Sequence, residues 1–278
     1  METIINGFKT NRAFAVTSVL VLCLLLIAIA APVIAPYDPT HAAMKDAFLE
    51  PGAQHLFGTD KLGRDCFSRV LYGARASLTG VLVLVASVFV VGTTMGVVSG
   101  YFGGKVDMVI MRISDMMISF PGMILAIAIA GIMGGSLVNA VFALTIVSWT
   151  KYARLSRSMV LKVKRRDFVE AAIVNGGTPG HILWVHILPN ILPMMVITAV
   201  ADIGALMMEL AGLSFLGFGS QPPAPEWGLM LNEGRQQLQT APWLMFFPGL
   251  AIFVTVVVFN LWGDNLRDVL DPRGDVED

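Results

Sequence analysis

Residues 76–104 read ASLTGVLVLVASVFVVGTTMGVVSGYFGG, a run of 29 uncharged residues between Arg75 and Lys105. An α-helix needs roughly 20 predominantly apolar residues to cross the hydrocarbon of a bilayer, which is about 30 Å thick. The run exceeds that requirement. It therefore predicts a transmembrane helix and indicates that the chain is a membrane protein.

Other parts of the chain are equally poor in charge. The stretch between Asp115 and Lys151 has 35 uncharged residues, which is too long for one span, and the turn-forming triplet Gly134-Gly135-Ser136 divides it into two helices. The remaining stretches are 25 residues between Arg12 and Asp38, 28 residues between Arg235 and Asp264, and the apolar segment 190–218. The pattern predicts an all-α membrane protein with six transmembrane helices.

The composition supports this prediction and excludes other classes. Hydrophobic residues make up 55% of the chain and charged residues 14%, against roughly 45–50% and 25% in soluble domains. The formal net charge of −1 leaves no basic surface for nucleic acid. Cys23 and Cys66 cannot form a disulfide scaffold, and no C-x-x-C or H-E-x-x-H motif occurs. No catalytic or metal-ligating residue is predicted.

The basic residues predict the orientation in the membrane. With both termini in the cytoplasm, the cytoplasmic segments hold 13 of the 19 lysines and arginines, as the positive-inside rule requires. Seven of these lie between Lys151 and Arg166. The first apolar run could instead be a cleaved signal peptide ending at Ala28-Ile29-Ala30, but it is longer than the usual apolar region of 7–15 residues. A retained anchor helix fits better.

The segment 151–190 predicts a structured cytoplasmic hairpin. Phe168, Val169, Ala172 and Ile173 have helical spacing, and Gly176-Gly177 ends that helix. Thr178-Pro179 supplies the N-cap and first-turn proline of a second short helix, which we expect to break at Leu188-Pro189. On spacing alone, the hairpin is either a docking element or an ordinary basic loop.

One string in this hairpin resembles a known family. Residues 170–176, EAAIVNG, followed by HILPN at 186–190, resemble the E-A-A-x-x-x-G…I-x-L-P loop of permease subunits of ATP-binding-cassette importers. Further segments are similar to the dipeptide/oligopeptide/nickel branch of these importers, and within it to the C-type permease. They are GTDKLGRD at 58–65, GARASL at 73–78, SFLGFG at 214–219, Pro222-Pro223, EWG at 226–228, and a closing segment from Gly263 to Pro272.

The resemblance implies a type I importer permease fold and a set of partners. These are a homologous B-type permease, two ATP-binding subunits, an extracytoplasmic binding protein and the bacterial inner membrane. It also implies that the hairpin docks on the ATPase through residues that match the family's motif: Glu170, Ala171, Ala172, Gly176, Leu188 and Pro189. Independently of the resemblance, the chain has no G-x-x-x-x-G-K-[ST] loop, so any ATP dependence must come from a partner. The resemblance places ATP and magnesium on the ATP-binding subunits.

Two parts of the chain have different expected roles. Residues 1–75 are predicted to form an N-terminal transmembrane helix and an external loop, and residues 76–278 a five-helix permease core with the coupling loop 151–190. Asp202 and Glu209 are seven residues apart in the fifth span, on nearly one face of a helix. Acids at that depth usually face a bundle interior, a partner or a water-filled path. Both are candidates for the translocation path, and a structural role remains open for each.

Other functions fit the sequence less well. A secondary transporter would need its own ion-coupling site and often has an internal repeat, which we do not find. A membrane-embedded enzyme would need converging acid, base or nucleophilic groups, and no histidine or cysteine cluster supplies them. The resemblance implies that the substrate is nickel, free or chelated, or a di- or oligopeptide. The segments Asp202-Ile-Gly204 and Glu226-Trp227-Gly228 resemble the nickel permeases slightly more than the peptide permeases.

Overall fold

A computed structural model describes residues 11–270, and the regular elements in this range are helices. The two termini, which the sequence places in the cytoplasm, lie outside the described residues, as do Asp271 and Pro272 of the closing motif. The long helices are α1 (Arg12–Ile34), α2 (Cys66–Phe102), α3 (Gly104–Ile118), α4 (Gly122–Met133), α5 (Leu137–Val163), α7 (Pro179–Ala201), α8 (Ile203–Phe215) and α10 (Trp243–Leu270). Two short α-helices are α6 (Asp167–Val174) and α9 (Trp227–Gly234), and single 3-10 turns cover Met44–Asp46 and Arg235–Gln237.

Four of these helices are long and apolar enough to cross a membrane, namely α1, α2, α7 and α10. The number rises to five if α3 and α4 form one bent span. The expected six spans are therefore found only in part among residues 11–270. The difference comes from the third, fourth and fifth predicted spans, each of which departs from a straight apolar helix.

The third predicted span is bent. Helices α3 and α4 meet at 93°, and Pro121 stands at the start of α4 with extended backbone. Proline has no N–H and disfavours helical backbone in the residue before it, so the helix cannot continue straight through Phe120. Helix α4 has 12 residues and is about 18 Å long, too short to cross the membrane alone.

The helix that corresponds to the fourth predicted span extends beyond the apolar stretch from which the span was predicted. Helix α5 begins at Leu137, just after the predicted break at Gly134-Ser136, which is confirmed. It continues for 12 residues beyond Lys151, where the sequence suggested that the cytoplasmic segment begins. Its second half carries basic residues, so α5 does not qualify as a span by composition. Lys151 is thus part of the helical bundle rather than of a loop.

The fifth predicted span consists of two helices. Helix α7 ends at Ala201, α8 begins at Ile203, and Asp202 forms the junction between them. Helix α8 ends at Phe215, three residues before the end of the predicted apolar segment at residue 218, and Gly217 takes a positive φ of 94° just beyond it. Asp202 and Glu209 therefore do not lie on one uninterrupted helix.

The bundle is centred on α2 and α5. A Cβ atom on Gly92 would lie 2.5 Å from the carbonyl oxygen of Trp149, and one on Gly96 would collide with the side chain of Ser156. These glycines therefore let the two backbones approach closely, as small residues do in membrane helix pairs. Helix α2 has 37 residues and runs without a break through residue 75, the expected boundary between the N-terminal part and the core. That division remains a prediction.

Candidate coupling hairpin and transport path

The first arm of the hairpin folds as its sequence predicts. Helix α6 ends at Val174, and Gly176 turns the chain with a φ of 79°, in the left-handed region that favours glycine. Thr178 then caps the second arm, since its side chain accepts a hydrogen bond from the N–H of His181 at 3.4 Å, and Pro179 takes the first helical position. Glycine and proline thus set the geometry of the turn.

The second arm differs from the prediction, because the helix does not break at Leu188-Pro189. Residues Ile182–Ile187 form a π-helical turn, and the chain continues as an α-helix to Ala201. Proline inside a regular α-helix removes one hydrogen bond and clashes with a carbonyl one turn earlier. The wide turn just before Pro189 relieves this clash, as π-bulges do. The hairpin is therefore joined to the membrane by one continuous helix, α7.

The hairpin is seated on the bundle by a separate apolar cluster. Its fully buried members include Val169 of α6, Ile187 and Ile191 of α7, and Val160 of α5. Val97 of α2 completes the contact. Because the cluster joins both arms to the ends of α2 and α5, the hairpin is fixed rather than loosely tethered.

The predicted coupling residues lie mostly on the outer surface of the hairpin. Glu170, Ala171, Gly176 and Pro189 are exposed, and Ala172 and Leu188 are half-buried. Within residues 11–270, the Glu170 carboxylate forms no ion pair. It is therefore available to a partner.

Sequence reasoning missed two large apolar side chains on this surface. Val174 is 85% exposed at the end of α6, and Trp184 is 74% exposed on the π-helical turn. Phe168, Ile173 and Val185 are also exposed. Several large exposed apolar side chains on one short hairpin are consistent with a protein interaction site. The sequence feature that could have predicted this exposed surface is Trp184, a large aromatic residue within the amphipathic second arm.

The two candidate path residues have different surroundings. Lys151 Nζ lies 2.7 Å and 2.8 Å from the two carboxylate oxygens of Asp202, so this acid is paired. Glu209 lies half-buried in α8. The partner of Asp202 is thus a lysine from the segment 151–190, which the sequence predicts to be a cytoplasmic hairpin. Glu209 lies within electrostatic reach of both Asp202 and Lys151 and forms a side-chain hydrogen bond with Ser148 of α5, so the two acids are neighbours although Asp202 stands at a helix junction.

The start of α2 and the loop before it contain a buried charge cluster that the sequence did not predict. Arg64 and Arg69 both bind Glu233, at 3.0 Å and 2.6 Å, and Arg64 also binds Asp60 at 2.6 Å. Burial disfavours the charge on Arg64, but Asp60 and Glu233 outweigh it, so the pKa of this guanidinium is raised. The cluster ties the external loop to α9.

Two motifs of the predicted family pack against each other nearby. The Glu226 carboxylate accepts hydrogen bonds from the N–H groups of Gly228 and Leu229, each at 2.9 Å, and thereby caps α9. A Cβ on Gly73 would lie 2.5 Å from the ring of Trp227. Glu226 and Trp227 are buried, so this motif maintains the fold rather than facing a substrate.

A metal site would require a different arrangement of ligands. In the part of the chain that the structure describes, no group of three or more histidine, cysteine, aspartate or glutamate side chains is placed to hold an ion.

Comparisons with known proteins agree with this architecture. The family of binding-protein-dependent transport system inner membrane components matches residues 92–275, and the N-terminal transmembrane domain of oligopeptide transport permease C matches residues 3–51. The inward-facing MetNI methionine ABC transporter has a similar fold, with a TM-score of 0.60 and 21% identity, over 74% of this chain and 98% of that one.

Curated relatives cover almost the whole chain. The dipeptide transport system permease of Alkalihalophilus pseudofirmus is 43% identical, over 95% of this chain and 87% of the relative. The nickel transport system permease of Escherichia coli K12 is 40% identical, over 96% and 97%. The glutathione transport system permease of Pectobacterium atrosepticum is 43% identical, over 96% and 89%.

Proposed function

The chain belongs to the family of inner-membrane components of binding-protein-dependent transport systems, and on that premise we propose that it forms half of an ATP-driven import path for nickel or short peptides. It is an oligopeptide-type C permease of the peptide, nickel and glutathione group, it crosses the inner membrane several times, and it is not itself an enzyme. Membership implies an ATPase and a binding protein as partners.

The proposed route of coupling passes through the hairpin. The single observation that supports it best is a hairpin packed on the bundle by a buried apolar cluster, whose exposed surface combines the Glu170 carboxylate with apolar side chains such as Trp184. An ATPase with a complementary cleft would interact electrostatically with the Glu170 carboxylate. It would also bury the apolar surface of Trp184. Ala171 and Ala172 would allow close approach, and Gly176 fixes the bend. Leu188 and Pro189 begin the α-helical part of α7, which connects the site to the membrane.

The proposed partners complete the path. A homologous B-type permease would supply the other half, and two ATP-binding subunits would receive one hairpin from each permease. The hairpin and both termini would then lie in the cytoplasm, in agreement with the excess of basic residues there. The external loop and the segment from Ser220 to Pro242 would face the binding protein.

Asp202 and Glu209 are proposed to lie beside the path, with different roles. Because Lys151 compensates the charge of Asp202, this acid would position helices rather than bind a cation by itself. Glu209 is half-buried one helix further on. Its carboxylate would contact α5 or the partner permease.

Reconstitution tests the proposal. Vesicles that contain this chain, its partner permease and both ATPase subunits should take up nickel, a nickel chelate or a dipeptide when the binding protein is outside and ATP is inside. Competition between radioactive nickel and a labelled dipeptide then separates the two substrate classes. Uptake that follows an ion gradient without ATP would overturn the proposal in favour of a secondary transporter.

A further inference from the structure

A polar crevice lies next to the buried charge cluster, between the loop before α2, the segment that follows α8, and α9. Its volume is about 280 Å³. The polar side chains that line it are Lys61, Gln221, Asn232, Glu233, Arg235 and Gln236. Parts of the chain that are far apart in sequence thus form one recess.

Hydrogen bonds hold the walls of this crevice in place. The Gln221 side-chain amide donates to the carbonyl oxygens of Gly217 and Gly219, at 3.1 Å and 3.0 Å. The Asn232 side-chain amide donates to the carbonyl oxygen of Phe215 at the end of α8. Because these bonds fix the segment after α8 and join α9 to α8, the chain itself forms the recess.

Two cations in the crevice have no acid partner. In the part of the chain that the structure describes, neither Lys61 nor Arg235 forms an ion pair or a hydrogen bond through its side chain. Both residues are exposed. Glu233 also lines the crevice, but Arg64 and Arg69 bind its two carboxylate oxygens. This acid is therefore already compensated.

The crevice consequently has an excess of positive charge. In the buried cluster beside it, two arginines balance the carboxylates of Asp60 and Glu233. Lys61 and Arg235 add two positive charges, with which no acid among residues 11–270 pairs. A recess lined by charges of one sign concentrates their field and attracts the opposite charge. The chemistry of the crevice thus suits a carboxylate.

We propose that this crevice receives an acidic side chain of the extracytoplasmic binding protein. The inference rests on the proposed function, in which the loop before α2 and the segment from Ser220 to Pro242 face outward. Exposed charges suit a contact that forms and dissociates repeatedly, because they speed association and are individually weak. Arg235 binds the carboxylate through two parallel hydrogen bonds, and Lys61 adds a second positive charge.

Binding measurements on the complete complex in lipid nanodiscs test the crevice. At low salt, Lys61→Gln and Arg235→Gln should each raise the dissociation constant of the substrate-loaded binding protein about threefold, and the double variant about tenfold, as expected for exposed ion pairs. Arg235→Lys should retain part of the affinity. Lys105→Gln is the matched control, since it removes an exposed cation from the turn between α2 and α3 and should bind as the wild type does.

The salt dependence gives a second measurement. The wild-type dissociation constant should rise as the ionic strength approaches 1 M, where the Debye length is about 3 Å, and the double variant should respond less. If the double variant does not assemble, a photoreactive amino acid at Arg235 gives the answer. It should capture the binding protein, and the absence of this product in a complex that binds the binding protein would overturn the inference.

Two further results would overturn it. The first is a double variant with the affinity and salt dependence of the wild type. The second is unchanged affinity together with reduced uptake of a dipeptide but not of its C-terminal amide, which would show that the crevice receives the substrate instead. A wild-type complex that neither binds a binding protein nor imports substrate with ATP would refute the proposed function itself.

Discussion

The Arg69 guanidinium donates a hydrogen bond to the Glu233 carboxylate at 2.6 Å, although 164 residues separate them in sequence. Arg64 binds the same carboxylate at 3.0 Å, and both arginines are almost fully buried. Glu233 therefore compensates two charges that have little access to water. Arg69 lies in the first turn of α2, Arg64 lies just before it and Glu233 lies on α9, so the charge cluster holds the loop before α2 to α9.

Removing this carboxylate should destabilise the contact between α9 and the start of α2. Glu233→Gln leaves two buried arginines with the single carboxylate of Asp60, which lies 2.6 Å from Arg64 and 3.7 Å from Arg69. The loss of one partner from a buried ion pair costs up to about 3–5 kcal/mol. Thermal unfolding of the purified complex in detergent should show a clearly lower midpoint. Glu50→Gln, which changes an exposed external acid, is the control and should leave the midpoint unchanged. Equal midpoints for both variants would contradict the role given to Glu233.

Gly176→Val should uncouple transport. The φ of 79° at Gly176 is strained by about 1–2 kcal/mol for residues with a Cβ, and more for a β-branched one. The turn should shift and misplace α6 on the ATPase, while insertion into the membrane continues. Uptake should fall several-fold at normal protein levels. Gly180→Ala is the matched control in the same hairpin, since a Cβ there meets open space without positive φ. Normal uptake by Gly176→Val would be incompatible with this mechanism.

Trp184→Ser should weaken the contact with the ATPase. This side chain is largely exposed in the isolated subunit, so its loss should not affect folding, but it removes apolar area that a partner would bury. The amount of ATPase that co-purifies with the permease should fall. Phe246→Ser, an exposed aromatic residue on α10 away from the hairpin, should leave it unchanged. If both variants retain the ATPase equally, Trp184 lies outside the interface.

The predicted orientation of the chain in the membrane determines which positions a reagent added outside the cell can reach. In a chain without its native cysteines, single cysteines at the exposed positions Gln54 and Gln221 should react with an impermeant thiol reagent added to intact cells. A cysteine at the exposed position Lys162 should react only after the membrane is opened. Labelling of Lys162→Cys in intact cells would show that the orientation is wrong.

Local chemistry made part of this fold predictable from sequence. Glycine and proline limit the backbone directly, which is why the break at Gly134-Ser136, the turn at Gly176 and the cap at Thr178 are all found where expected. The family motif placed the hairpin because it is a contiguous string. The conformation of a segment could thus be predicted from the sequence where it depends on residues only a few positions away.

Features that depend on distant residues were not predictable in the same way. The Lys151–Asp202 pair joins residues 51 positions apart, and the Arg69–Glu233 pair joins residues 164 apart. The continuation of α7 through Pro189 depends on a π-helical turn, which the proline rule alone does not foresee. Counting the residues between charges also placed the end of the fourth span at Lys151. This method could not anticipate the partner, Asp202, that keeps this lysine within the helical bundle.

The most direct test of the central claim places a photoreactive amino acid at Glu170 in the assembled complex. We expect ultraviolet light to join the permease to the ATPase subunit, because Glu170 is exposed on the hairpin proposed to dock there. The same group at Phe246 should give no such product. Cross-linking of Glu170 to the ATPase confirms that the hairpin is the coupling contact. Its absence, in a complex that still imports substrate with ATP, would contradict the account.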